Sequence, residues 1–203
     1  MVMILRTEIF EKYNSISIIS EFDEFKQTFF TSFDNQKVII VSREQEFNKK
    51  QVLKMLSKRS YLSDYFNVMD INEILEKEDN VYLSLIFALS EYPKAVIVND
   101  LFVWLTIEKK QLLLSFAKDH GIKLVSFTSE IEEVLDSEYL IVLEDNELCL
   151  EGETLDVLKE EKLLKKLGFS LPFYYDLSLQ LGYYEVLRDI HLDKKTLESE
   201  IWK

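Results

Sequence analysis

Residues 92–152 read YPKAVIVNDLFVWLTIEKKQLLLSFAKDHGIKLVSFTSEIEEVLDSEYLIVLEDNELCLEG. Within them 95–99 (AVIVN) is a short, unbroken apolar run rich in β-branched residues, the pattern of a strand buried on both faces. Residues 107–119 come next with helical spacing. Gly121 stands where that helix must stop, because glycine takes the left-handed turn that closes a helix end. A further buried strand at 122–127 (IKLVSF), a short helix at 129–135 and another strand at 139–143 (YLIVL) complete the alternation. Residues 144–150 (EDNELCL) read as a turn that returns as an antiparallel strand.

The same alternation extends upstream. Residues 15–20 (SISIIS) and 37–42 (KVIIVS) read as strands, and 65–69 as another short one. Phe22, Phe25, Phe29, Phe30 and Phe33 recur at helical spacing and predict a helix over 22–33. Val52, Leu53, Met55, Leu56 and Leu62 set the inner face of a helix over 48–62. Asp70, with Glu73 three places on, caps a short helix at 70–77, and 81–91 forms an apolar helix ended by Pro93. Alternating strands and helices predict an α/β fold, a mostly parallel sheet with helices on both faces. Residues 152–203 carry two or three helices and no convincing strand, so the chain divides into a core at 1–151 and a C-terminal helical extension at 152–203.

Composition narrows the function. Among 203 residues, 37 Asp and Glu face 24 Lys and Arg, a net charge of −13. Such a balance weighs against a protein coated by nucleic acid, but leaves room for a local basic channel. Cys149 alone excludes an internal disulfide framework and fits a reducing compartment. Cys149, His120 and His191 are too few for a common zinc site. The longest apolar runs, 83–89 and 101–105, are too short to span a bilayer, and the start MVMILRTEIFEKYN is no signal peptide. A cytoplasmic protein with no membrane partner is the expectation.

A phosphate-binding loop needs glycines, because its backbone must turn sharply and aim N–H groups at phosphate oxygens. The four glycines are Gly121, Gly152, Gly168 and Gly182, and the turn after strand 37–42 reads SREQEFNKK, with two glutamates. Strand 95–99 ends in Asn99-Asp100, where a P-loop enzyme holds magnesium and poises a carboxylate. Asp100 remains, and its simplest reading is a loop-capping residue. The expectation is therefore a chain that is not an enzyme and binds no ATP.

The order of these features resembles the second half of an ABC-type ATPase domain, with Pro93-Lys94 before the strand that carries the catalytic acid in that family. On that likeness Asn99 and Asp100 fall at its Asp and catalytic Glu, Ser129 at its switch histidine, Lys49 at the phosphate-loop lysine, and LEKED at 75–79 at its signature motif. Two branches fit the remnant. SISIISEFDEFKQTFFTSFDNQKVIIVS (15–42) and VIVNDLFVWLTIEKKQLLLSF (96–116) resemble the type II-A CRISPR adaptation protein. That resemblance implies a tetrameric ring that binds calcium, threads double-stranded DNA ends and meets other CRISPR adaptation proteins. The tail, with LGFSLPF at 167–173 and Leu197-Glu198 before Trp202, is similar to energy-coupling-factor transporter ATPases. The first branch is the preferred reading. A non-hydrolysing transporter remnant and a protein-binding scaffold are the alternatives.

Three groups of residues are candidates for contact. Lys50, Lys54 and Lys58 share one stripe of helix 48–62, with Lys49 and Arg59 beside it, and such a stripe can meet DNA phosphates without reading sequence. Its plainer reading is a solvated helix face. Asp70, Glu73, Glu76, Glu78 and Asp79 gather oxygen ligands suited to calcium, or simply form an acidic helix end. Phe102 and Trp104 belong to the core or to a subunit interface.

Overall fold

The structure is a computed structural model and describes residues 7–20, 37–41, 49–66, 68, 77–145 and 147–202. Among these residues six strands form one sheet: β1 (Ser15–Ile19), β2 (Val38–Val41), β3 (Ala95–Asn99), β4 (Lys123–Thr128), β5 (Tyr139–Glu144) and β6 (Glu147–Glu153). Their order is β2-β3-β4-β1-β5-β6. All neighbours are parallel except β5 and β6, which pair as an antiparallel hairpin. The α/β fold read from the sequence holds. The strands bury both faces, and this is why 95–98 is an unbroken apolar run and every residue of 123–128, polar ones included, is buried.

The helices are α1 (Thr7–Lys12), α2 (Lys49–Lys58), α3 (Ser60–Tyr65), α4 (Lys77–Ser90), α5 (Ile107–Asp119), α6 (Thr154–Leu158), α7 (Glu161–Lys166), α8 (Phe173–Tyr183) and α9 (Lys194–Ile201). Two 3-10 turns lead onward from strands, Phe102–Trp104 from β3 to α5 and Ile131–Asp136 from β4 to β5. Helix α5 starts where Thr106 accepts from the Lys109 N–H, and it stops at Gly121, whose φ is +65°. The Ile122 N–H then returns to the Ala117 carbonyl at 2.8 Å, so the chain enters β4 with its last helical carbonyls satisfied.

The helix expected over 48–62 is broken at Arg59, which leaves helical geometry (φ −133°, ψ 60°) between α2 and α3. The strand expected over 65–69 is absent where the chain is described. Tyr65 ends α3, and Phe66 donates to the Leu62 carbonyl at 3.0 Å, continuing the helical path. Burial of Phe66 against Phe116 and Tyr82 outweighs its preference for strands. The helix expected over 22–33 and most of that at 70–77 lie outside the described residues.

One face of the sheet packs Ile16, Ile18, Ile97, Val125 and Phe127 beneath Ile9 and Phe10 of α1. The opposite face holds two clusters. The first joins Val96, Val98 and Leu124 to α4 and α5. The second joins Ile19, Leu140 and Val142 to Leu158, Leu164, Leu171 and Tyr175 of the tail. Among the described residues the tail carries four helices, α6 to α9, and no strand after Glu153.

Candidate functional site

In a parallel sheet the ligand-bearing loops open at the carboxyl ends, where the direction of the connections reverses. Here β1 lies between β4 and β5, and its outgoing connection runs toward β2, whereas those of β3 and β4 run the other way. The reversal therefore sits beside β1, not beside β2. By that rule a phosphate loop would follow β1, whereas the turn at 42–50, with Lys49, follows β2. Residues 21–36 lie outside the described residues. In sequence, Lys26 stands six places after Ser20, as the lysine of Gly-x4-Gly-Lys stands after its first glycine, and Thr28 is two places on. Phe25 takes the second glycine's place, which hides the spacing.

Next to β1, the ends of β3 and β4 are tied together. Asp100 adopts a left-handed φ of 46°, uncommon outside glycine but tolerated by Asp. Its N–H donates to the Phe127 carbonyl at 2.9 Å, and its Oδ1 accepts from the Ser129 N–H at 3.1 Å. The carboxylate thus bridges the two loops, consistent with the capping role read from its position. Thr128 Oγ1 accepts from the Glu130 N–H at 3.0 Å and shapes the turn into Ile131–Asp136.

Under that turn the two apolar clusters part around buried polar groups: Ser17 and its cross-strand partner Ser126, then Thr128 and Glu133. Glu133 is 4% exposed, and neither carboxyl oxygen has a hydrogen-bond partner among the described residues. Ser126 Oγ is likewise without one. Burial pushes the Glu133 carboxyl above its ordinary range; the Thr128 hydroxyl and the Lys110 ammonium pull it down less, and Asp100 and Asp136 push it up again. The Thr128 hydroxyl is close enough to matter but falls short of hydrogen-bond geometry. Lys110 is itself held by Asp136 at 3.0 Å. Glu133 escapes sequence reasoning because EIEEVLD reads as an acidic surface turn, and the buried Ile131 and Val134 flank the exposed Glu132 as well as Glu133.

The lysine row is where its spacing puts it. Lys50, Lys54 and Lys58 are exposed along α2, and Lys49 opens that helix. Arg59 faces elsewhere: it is half-buried, donates to the Ser90 carbonyl and pairs with Glu91 at 3.5 Å, so it ties α2 to the end of α4. Phe102 is buried in the first core cluster and Trp104 packs against it, which gives them to the core rather than to an interface. Asp70, Glu73 and Glu76 lie outside the described residues, as do the side chains of Glu78 and Asp79. Among the described residues no group of three His, Cys, Asp or Glu is placed to hold a metal ion. His120 Nδ1 lies 2.8 Å from the Phe116 carbonyl, and His191 Nε2 lies 2.5 Å from Glu200, so both are structural. A cleft of about 660 Å³ opens at the amino edge, away from Asp100. Its charges are already matched, Lys12 with Glu153 at 3.3 Å and Lys159 with Asp156 at 2.6 Å.

No family model matches the chain. It is 24% identical over 147 residues to the energy-coupling factor transporter ATP-binding protein EcfA1 of Lactobacillus delbrueckii, covering 70% of this chain and 51% of that one. A shorter stretch of 84 residues is 34% identical to the protein of the same name from Caldanaerobacter subterraneus, covering 41% and 30%. The chain thus spans about half or less of the curated relatives it matches. In three dimensions it resembles cbiO1 from Clostridium perfringens, part of the ABC transporter complex cbiONQ, with a TM-score of 0.55 at 15% identity over 79% of this chain and 85% of that one. It also resembles a bacterial Atm1-family ABC exporter with ATP bound, with a TM-score of 0.55 at 12% identity over 77% and 37%.

The fold is that of an ABC-type ATPase, and of the two likenesses read in the sequence the energy-coupling-factor one is supported. The CRISPR likeness gains no support. Two expectations are corrected. A chain that is no enzyme and takes no ATP conflicts with relatives that are ATP-binding transporter proteins. The expectation rested on the lack of glycine before Gly121, and the likeness to ATP-binding relatives overturns it although the segment after β1 also lacks glycine. The expectation of no membrane partner is likewise unsupported, although no described helix is long and apolar enough to cross a membrane.

Proposed function

We propose that this chain is an ATP-binding subunit of a transporter of the energy-coupling-factor type, taking ATP at the carboxyl edge of the sheet and docking on a membrane partner. The likeness over 147 residues to an energy-coupling factor transporter ATP-binding protein carries this reading. The inner position of β1 and the Asp100–Ser129 bridge support it, because they build a polar floor where a triphosphate would lie. A segment without glycine brings fewer main-chain N–H groups to phosphate, so the expected affinity is below that of a glycine-rich loop. Asp100 is the group to orient an attacking water. Asp100→Asn keeps the Ser129 hydrogen bond and removes the charge, and it should slow magnesium-dependent turnover about a hundredfold. Calorimetry that finds no magnesium-ATP binding, with no membrane protein retained by the tagged chain, would sink the proposal.

The exposed row Lys50, Lys54 and Lys58 supports a second reading, contact with double-stranded DNA ends by a tetrameric ring that uses calcium at 70–79. A salt-sensitive shift of linear duplex, lost when all three lysines become Glu, would favour it over transport.

A further inference from the structure

We propose that Glu133 is a proton-binding site that governs the turn between β4 and the Ile131–Asp136 segment. With its proton on, the carboxyl lies neutral near Thr128 and the turn is docked. With its proton off, the turn lifts and Ser129 releases Asp100. A carboxylate shut away from water without hydrogen-bond partners carries a large desolvation cost, which either neutralises the group or expels it. Glu133 meets that condition: it is 4% exposed, and both oxygens lack a partner among the described residues.

Among the described residues, the groups facing it do not hold it ionised. From α5 comes Lys110, already engaged by Asp136 at 3.0 Å. From the loop after β3 comes Asp100, and from its own segment Asp136, both negative. From β4 comes the hydroxyl of Thr128, whose Oγ1 already accepts from Glu130. Neighbours on either side, Ile131 and Val134, are anchored in the tail-facing cluster, so the segment cannot turn Glu133 outward without leaving its seat. Because the same backbone leads back through Glu130 to Ser129, undocking pulls on the N–H that Asp100 accepts.

The burial fixes the direction with pH. The unfolded carboxyl ionises near its ordinary 4.5, the folded one only at higher pH. Between the two the folded state holds the extra proton, so stability falls as pH rises through that interval and then levels off. The effect on ATP rests on the function proposed above; the proton site itself does not.

Urea unfolding and amide exchange of the whole chain, with exchange corrected for its chemical rate, should be followed across pH for wild type and Glu133→Gln. Wild type should lose stability with rising pH and open at 129–136; the variant should do neither. An infrared band of a buried protonated acid should be present in wild type and absent from the variant. Lys110→Met removes the nearby cation and should move the wild-type transition to higher pH, a check that survives if Glu133→Gln folds poorly. Equal pH slopes in wild type and Glu133→Gln, or no protonated-acid band, overturn the proposal. Magnesium-ATP affinity that weakens with pH only in wild type supports the link to Asp100. The pH slope without any ATP binding leaves the proton site standing and overturns the transporter reading instead.

Discussion

Strands β3 and β4 and the helical tail treat their apolar residues in opposite ways. Ile97, Val98, Val125 and Phe127 are fully buried, each sandwiched between layers. In the tail, Tyr183 and Trp202 are 83% exposed and Phe173 61%, beside Tyr184, Val186, Ile190 and Ile201. The strands gain stability from both faces at once. The tail docks on the sheet through few residues, chiefly Leu158, Leu164, Leu171 and Tyr175, and leaves the rest of its aromatics in water. The frame that carries Asp100 and Ser129 is therefore held by redundant packing, and the tail by a single seam.

Substitutions at matched depths separate these two behaviours. Phe127→Ala empties a site with no exposed wall and should cost about 3–5 kcal/mol in denaturant unfolding, with all probes moving together. Leu164→Ala should cost about 2–4 kcal/mol, but with a split signature: amide exchange in α7 and α8 quickens while β3 stays protected. Equal loosening of both would show that the tail is part of the core's cooperative unit. His191→Ala removes the bond to Glu200 that fastens α9, and should cost about 1–2 kcal/mol by thermal melting. Tyr175→Phe deletes a buried hydroxyl that has no hydrogen-bond partner among the described residues, so stability should hold or rise by about 1 kcal/mol. Trp202→Ala should shift stability by less than about 0.5 kcal/mol, since most of its surface already meets water.

Legibility from sequence divides along similar lines. The strands at 95–99 and 139–143 and the helix at 107–119 can be read from the chain because local pattern and tertiary burial agree there. Pattern misleads at Phe66, where packing against Phe116 keeps a strand-loving residue in a helical turn. The site is less legible for a topological reason. Chain order places 37–42 before 95–99, but only pairing shows that β1 crosses to the middle, and nothing in SISIIS announces β4 and β5 as its neighbours. Glu133 is opaque because a carboxylate in an acidic turn looks solvated, as its neighbour Glu132 is, until the fold shows which of the two is buried.

The central place of β1 also sets a timetable. Its partners lie far along the chain: Ser15 pairs with Leu124 and Ile16 with Tyr139. Lys123, whose ammonium reaches the Tyr13 carbonyl and Asn14 Oδ1 across 110 and 109 residues, fastens the same distant ends. As the chain leaves the ribosome, β1 emerges and then waits on the order of ten seconds for β4, at the usual pace of synthesis. Throughout that interval an apolar segment with two open edges has no native partner. Chaperone capture should therefore begin when β1 clears the exit tunnel and end only once β4 and β5 have followed it.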